Sequence, residues 1–70
     1  MLPLTMANAG ETVTIRKITG KDDVRQRLAE LGFVVDTELQ VVSKIDGNLI
    51  VEIRSSRVAL DSSMACRILI

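Results

Sequence analysis

The run KDDVRQRLAELGF, Lys21 to Phe33, is the only clear helix signature in the sequence, and it carries its own stop signal. Val24, Leu28 and Leu31 recur at i, i+4 and i+7 and so share one helical face, while Arg25, Gln26, Ala29 and Glu30 point elsewhere. Asp22 or Asp23 can accept hydrogen bonds from the first free amides, and their charge suits that end of the helix dipole. Gly32 follows Leu31, the last expected helical residue. It stands where the chain needs a left-handed backbone, which glycine adopts without a steric penalty. Phe33 comes next, and in that kind of cap the following apolar side chain folds back, here onto Leu28. The spacing predicts a helix over 22–31 inserted between stretches that read as strands.

Glu11 to Ile18 alternates Val13 and Ile15 with Thr14 and Arg16, the period of a half-buried strand. Ile18 breaks the parity, which points to a bulge or strand end near Lys17. Gly10 closes the turn-like run before that strand. After the helix, Val34 to Thr37 reads as a turn into a strand over Glu38 to Lys44. There Leu39 and Val41 share a face and Val42 points the other way. Asp46-Gly47-Asn48 is the strongest hairpin signal, because Asp-Gly suits the positive φ values of a tight turn. Leu49 to Arg54 returns, with Leu49, Val51 and Ile53 on one side. Ser55-Ser56 is a further turn, Arg57 to Leu60 a short strand, Asp61 to Ala65 one helical turn capped by Asp61 or a serine. Cys66 to Ile70 closes the chain as a last strand, with Cys66 sharing the core side with Ile68 and Ile70.

This order predicts a mainly β, SH3-like barrel of about five strands, with closure removing most open sheet edges. The 70 residues make a single domain over 1–70. A chain this short buries only roughly 60% of its unfolded surface and is near the lower limit for folding alone. A hydrophobic fraction of 47% with 1% aromatic makes the core aliphatic. Small domains without disulfides or metals often gain stability by associating, so self-association is a standing option.

Composition also excludes functions. Nine basic and nine acidic residues give a net charge of +0, so no global field draws the chain to nucleic acid or an anionic membrane. Phe33 is the only aromatic residue, which removes the stacking platforms used for single strands and the aromatic groove used for proline-rich peptides. With no histidine and a single cysteine, the common general base and metal ligand are absent and Cys66 has no evident activating base. The glycines are scattered turn residues and form no phosphate loop. No catalytic, cofactor or metal residue is expected, and no enzyme. The lone cysteine suits a reducing cytosol, no stretch approaches a membrane span, and the expected location is cytoplasmic.

RLAELGF at Arg27 to Phe33, then VVDTELQVV, DGNLIVEI and RVALDSSMACRILI, resemble the FeoA family over nearly the whole chain. Leu28, Leu31, Gly32 and Phe33 match the L-x-x-[LM]-G-[FLI] segment of that family, and Gly10 matches its turn before the first strand. Asp36 departs from the pattern, since members usually carry glycine there. The resemblance implies an SH3-like domain that supports or regulates ferrous iron uptake by binding the cytoplasmic, GTP-binding part of the FeoB transporter. Arg25 and Arg27 stand among Asp22, Asp23 and Glu30 and are either part of a solvated mixed face or candidates to meet acidic groups of a partner, and Val34 and Val35 are either buried under the helix or candidates for an apolar contact. Leu28, Leu31, Gly32, Phe33, Gly10 and Gly47 are structural. The alternative is a self-associating module whose apolar strand over 68–70 pairs between copies.

Overall fold

A computed structural model describes all 70 residues. Its strands are β1 (Thr12–Thr14), β2 (Lys17–Ile18), β3 (Glu38–Ile45), β4 (Asn48–Ile53), β5 (Ser56–Leu60) and β6 (Ile68–Leu69). The helices are α1 (Asp22–Glu30) and the short α2 (Ser62–Ala65), and a 3-10 turn spans Leu4–Met6. Four strands form one antiparallel sheet in the order β1-β3-β4-β5, and β2 pairs with β6 in a second.

The expected strand over 11–18 is split by a corner. β1 pairs with β3, whereas β2 pairs with β6, so the chain crosses between sheets at Ile15 and Arg16. Ile15 is wholly buried at the corner, where an aliphatic side chain fills the space between the two ladders. The backbone of Arg16 already donates to Leu69 at 2.7 Å. The parity break at Ile18 is therefore a change of sheet. The bulge lies instead in β3, where the register steps from Val41↔Val51 to Ser43↔Ile50 and leaves Val42 unpaired.

That extra residue decides which side chains face the core. Leu39 and Val41 are buried before it; beyond it the parity reverses, Lys44 lies opposite buried Leu49, and Ile45 turns outward. Both hairpins flanking β4 are tight. At the first, Asp46 and Gly47 have φ of 52° and 82°; at the second, Arg54 and Ser55 have 50° and 65°. Two consecutive positive φ values define a type I′ turn, whose twist matches that of the strands. The second turn is thus Arg54-Ser55, one residue before the expected pair, because Ser56 already pairs with Ile53.

The sequence led us to expect a closed barrel, but hydrogen bonding does not join the strands into one ring: β5 and β6 do not pair. α2 intervenes between β5 and β6 and packs on β4, β5 and the 3-10 turn. Asp61 caps it as expected, its Oδ1 accepting from the Met64 amide at 2.9 Å and the Ser63 hydroxyl at 2.8 Å. These bonds to the ionised form hold the Asp61 carboxyl below the 3.8 of an unperturbed aspartate, the Met64 amide contributing most. Cys66 is not in a strand. It ends α2, is exposed, and its thiol donates to the Ser63 carbonyl at 3.2 Å, so its expected place in the core is wrong.

The core of thirteen buried apolar residues draws on every part of the chain, from Leu4 and Ala7 through Leu28, Phe33 and the inner faces of β3 and β4 to Ile68. The amino terminus takes part: Leu2 and Ile70 exchange amide-to-carbonyl bonds of 2.9 and 2.7 Å, and Pro3 bridges to Leu69. β6 is therefore flanked on both sides, by β2 and by residues 2–3. The 68–70 edge proposed for pairing between copies is already occupied.

Candidate docking site

α1 forms as its sequence requires, with one change at each end. Lys21 is the N-cap and offers no side-chain bond, so Asp22 and Asp23 lie inside the first turn and act through charge on the dipole. At the other end Leu31 caps the helix and Gly32 has φ +103°. The Gly32 amide donates to the Ala29 carbonyl at 3.0 Å and the Phe33 amide to the Leu28 carbonyl at 2.9 Å. This is the paired bonding of a Schellman motif, and it satisfies carbonyls that the helix end would leave free. Leu28 and Phe33 are wholly buried together, but Leu31 is 44% exposed, contrary to its expected place on the buried face.

The chain leaving this cap is clamped. The Asp36 amide donates to Ile15 at 2.8 Å, the Ile15 amide to Thr37 at 2.9 Å, and the Thr37 amide to Val34 at 3.2 Å. Asp36 is the third residue of that turn and takes φ 72°, the left-handed conformation that favours glycine and that aspartate adopts more readily than most side chains. Val34 is half-buried as a result, while Val35 is held outward and 53% exposed.

Between this turn and α1 lies a groove of about 530 Å3. β2 supplies Lys17 and Ile18, α1 supplies Arg25, Gln26 and Ala29, and the turn supplies Phe33, Val34 and Val35. Its floor is apolar, its edges carry two cations, and no carboxylate lines it. The one ion pair nearby, Arg25 with Asp22 at 3.7 Å, is exposed and of little energetic weight, so it leaves the Arg25 guanidinium available. Of the four candidate contact residues, the fold brings Arg25, Val34 and Val35 together. Arg27 is elsewhere, because two helical positions on from Arg25 is about 200° around the axis. Lys17, Ile18, Gln26 and Ala29 were missed. Ala29 was within reach of the sequence, four residues after Arg25; Lys17 and Ile18 stand just before α1, but reading 11–18 as one strand hid that they form a separate β2 beside the helix.

Of the other residues read as structural, Gly10 donates its amide to the Val41 carbonyl at 2.7 Å just before β1, and Gly47 occupies the first hairpin turn. No group of three or more histidine, cysteine, aspartate or glutamate side chains is arranged to hold a metal ion. No helix is long and apolar enough to cross a membrane.

Known proteins share this architecture. A Methanocaldococcus jannaschii protein provisionally named Fe(2+) transport protein A is 30% identical over 70 residues, which is 100% of this chain and 85% of that protein. The zinc complex of Stenotrophomonas maltophilia FeoA, a prokaryotic SH3 domain protein, superimposes with a TM-score of 0.84 at 27% identity, covering 99% of this chain and 88% of that one. A manganese-dependent transcriptional repressor gives a TM-score of 0.86 at 28% identity, covering 94% of this chain but only 38% of the repressor. The same SH3-like unit therefore occurs both as nearly a whole protein and as a part of a larger one. The FeoA domain family matches residues 2–70, and this chain belongs to that family.

Proposed function

We propose that this protein is a non-enzymatic, cytoplasmic accessory factor of ferrous iron uptake that docks on the cytoplasmic, GTPase-containing part of a FeoB-type transporter. Family membership supplies the link to ferrous iron transport, together with the relative named for Fe(2+) transport. The observation that carries the docking reading is the groove between α1 and the clamped turn. Its apolar floor and two cationic edges suit a partner surface with aliphatic side chains beside carboxylates. The backbone around it is held by the helix cap and by the bonds to Ile15, so little ordering remains to be done on binding.

Titration of the purified chain into the cytoplasmic part of a FeoB-type transporter tests this reading. Wild type binds, the Arg25→Glu/Val35→Asp double variant binds about tenfold or more weakly, which corresponds to a loss of at least about 1.4 kcal/mol, and Arg27→Glu binds as wild type does. Absence of binding in every nucleotide state of the transporter domain would contradict it.

A further inference from the structure

A second apolar groove, of about 540 Å3, lies on the outer face of the four-stranded sheet, around the hairpin that joins β3 to β4. Ile45, Ile50 and Ala59 form its exposed surface, Ile45 being 67% and Ile50 39% exposed. Ile45 is there because of the bulge at Val42; an unbroken alternation from Leu39 and Val41 would have turned it inward. Its charged edge is the Asp61 carboxylate, and no cation lines it. Asp61 keeps that charge to low pH through its bonds to Met64 and Ser63. The groove beside α1 has the opposite edge, Lys17 and Arg25 with no carboxylate. A chain with net charge +0 thus carries two separate apolar grooves whose charged edges have opposite sign.

We infer that the protein associates with itself head to tail, the acid-edged groove around Ile45 and Ile50 of one copy seating on the cation-edged groove around Arg25 and Val35 of another. Apolar area is covered on both sides while unlike charges meet at the rim, which is the arrangement that fixes register and favours encounter. The two surfaces are different parts of the same molecule, so the contact is heterologous. Every pair leaves one groove of each kind open, and assembly continues past the dimer or closes as a ring. The rim charges are exposed and few, Asp61 on one side against Lys17 and Arg25 on the other, so the association is weak and reversible. It uses the groove assigned above to the transporter, so a copy and the transporter exclude one another. The inference rests on the chain alone and is tested without the transporter.

Sedimentation equilibrium of the purified chain, run from about 10 μM to about 1 mM to cover the range of weak interfaces, is the experiment. The weight-average mass rises with concentration beyond that of a dimer, and the rise is smaller at 0.5 M salt than at about 0.05 M because the rim charges are screened. The Arg25→Glu variant blocks one groove and Ile45→Asn/Ile50→Asn the other; each sediments as a monomer alone. Mixed in equal amounts they form a 1:1 pair and nothing larger, because one intact groove of each kind remains. Restoration on mixing also shows that both variants are folded. A wild-type chain that stays monomeric up to 1 mM, variants that associate as wild type does, or a mixture that fails to pair would each overturn the inference.

Discussion

Gly32 decides where the helix stops and where Phe33 goes. Its φ of +103° is one that residues with a side chain rarely adopt, and a β-carbon there would meet only the Arg54 side chain at 3.5 Å, an ordinary contact. The cost of Gly32→Ala is therefore conformational and amounts to about 1–2 kcal/mol, read by urea unfolding. A loss under about 0.3 kcal/mol would mean that the cap contributes no such strain. Asp61 gives a pH-dependent test. Its carboxyl titrates lower in the folded chain than when unfolded, so its contribution is present above pH 3.8 and is lost as the pH falls through the lower folded value. Asp61→Ala lowers the melting temperature near neutrality, and its difference from wild type shrinks as the pH falls below that point. A difference independent of pH would show that the carboxylate is not what caps α2. Gly32, Phe33 and the Asp61 cap were legible because each depends on neighbours close in sequence, none further than the five residues from Phe33 to Leu28. Leu31 and Cys66 were misread by the same logic: each sits at a helix end, where regular spacing stops describing direction.

Among the elements, the hairpins show what local chemistry can and cannot reveal. Asp46-Gly47 announces a type I′ turn, and one forms there. Arg54-Ser55 makes the same turn with residues that disfavour positive φ, and only the register of β4 with β5 imposes it. Replacing Ser55 with glycine relieves that strain and stabilises the domain by about 0.5–1 kcal/mol in denaturant unfolding. A destabilised variant would mean that the Ser55 side chain has a role the turn geometry does not explain. The amino-terminal segment was invisible for a related reason. Residues 2–7 carry no periodicity, yet Leu4 and Ala7 are buried and Leu2 clasps Ile70. Leu4→Ala should cost about 2–5 kcal/mol, typical of a leucine truncated in a packed core. For a domain whose total stability is of order 5–10 kcal/mol that is a large share, and thermal unfolding shifts accordingly. A shift of only a degree or two would place Leu4 outside the cooperative core. The bulge at Val42 and the corner at Ile15 belong to the same class: both answer to strands distant in sequence.

For the molecule as a whole, the sequence yielded the mainly β, SH3-like class and the family, and the structure corrected the closure of the strands. Two ladders meet at Ile15, and the chain leaves β5 into α2, which packs on β4, β5 and the 3-10 turn, where a continuous ring would need β5 to pair with β6. β2 leads directly into α1, and the two line the cation-edged groove together with residues 33–35, a part of the site that reading 11–18 as one strand hid. The account predicts that binding to the transporter weakens with rising salt, as expected for contacts at a solvated charged rim. The most direct measurement is a backbone amide NMR titration of the chain with the cytoplasmic part of a FeoB-type transporter. The account predicts shifts concentrated at residues 17–18, 25–29 and 33–35. Shifts confined to the β3–β5 outer face, or none at saturating partner, would contradict it.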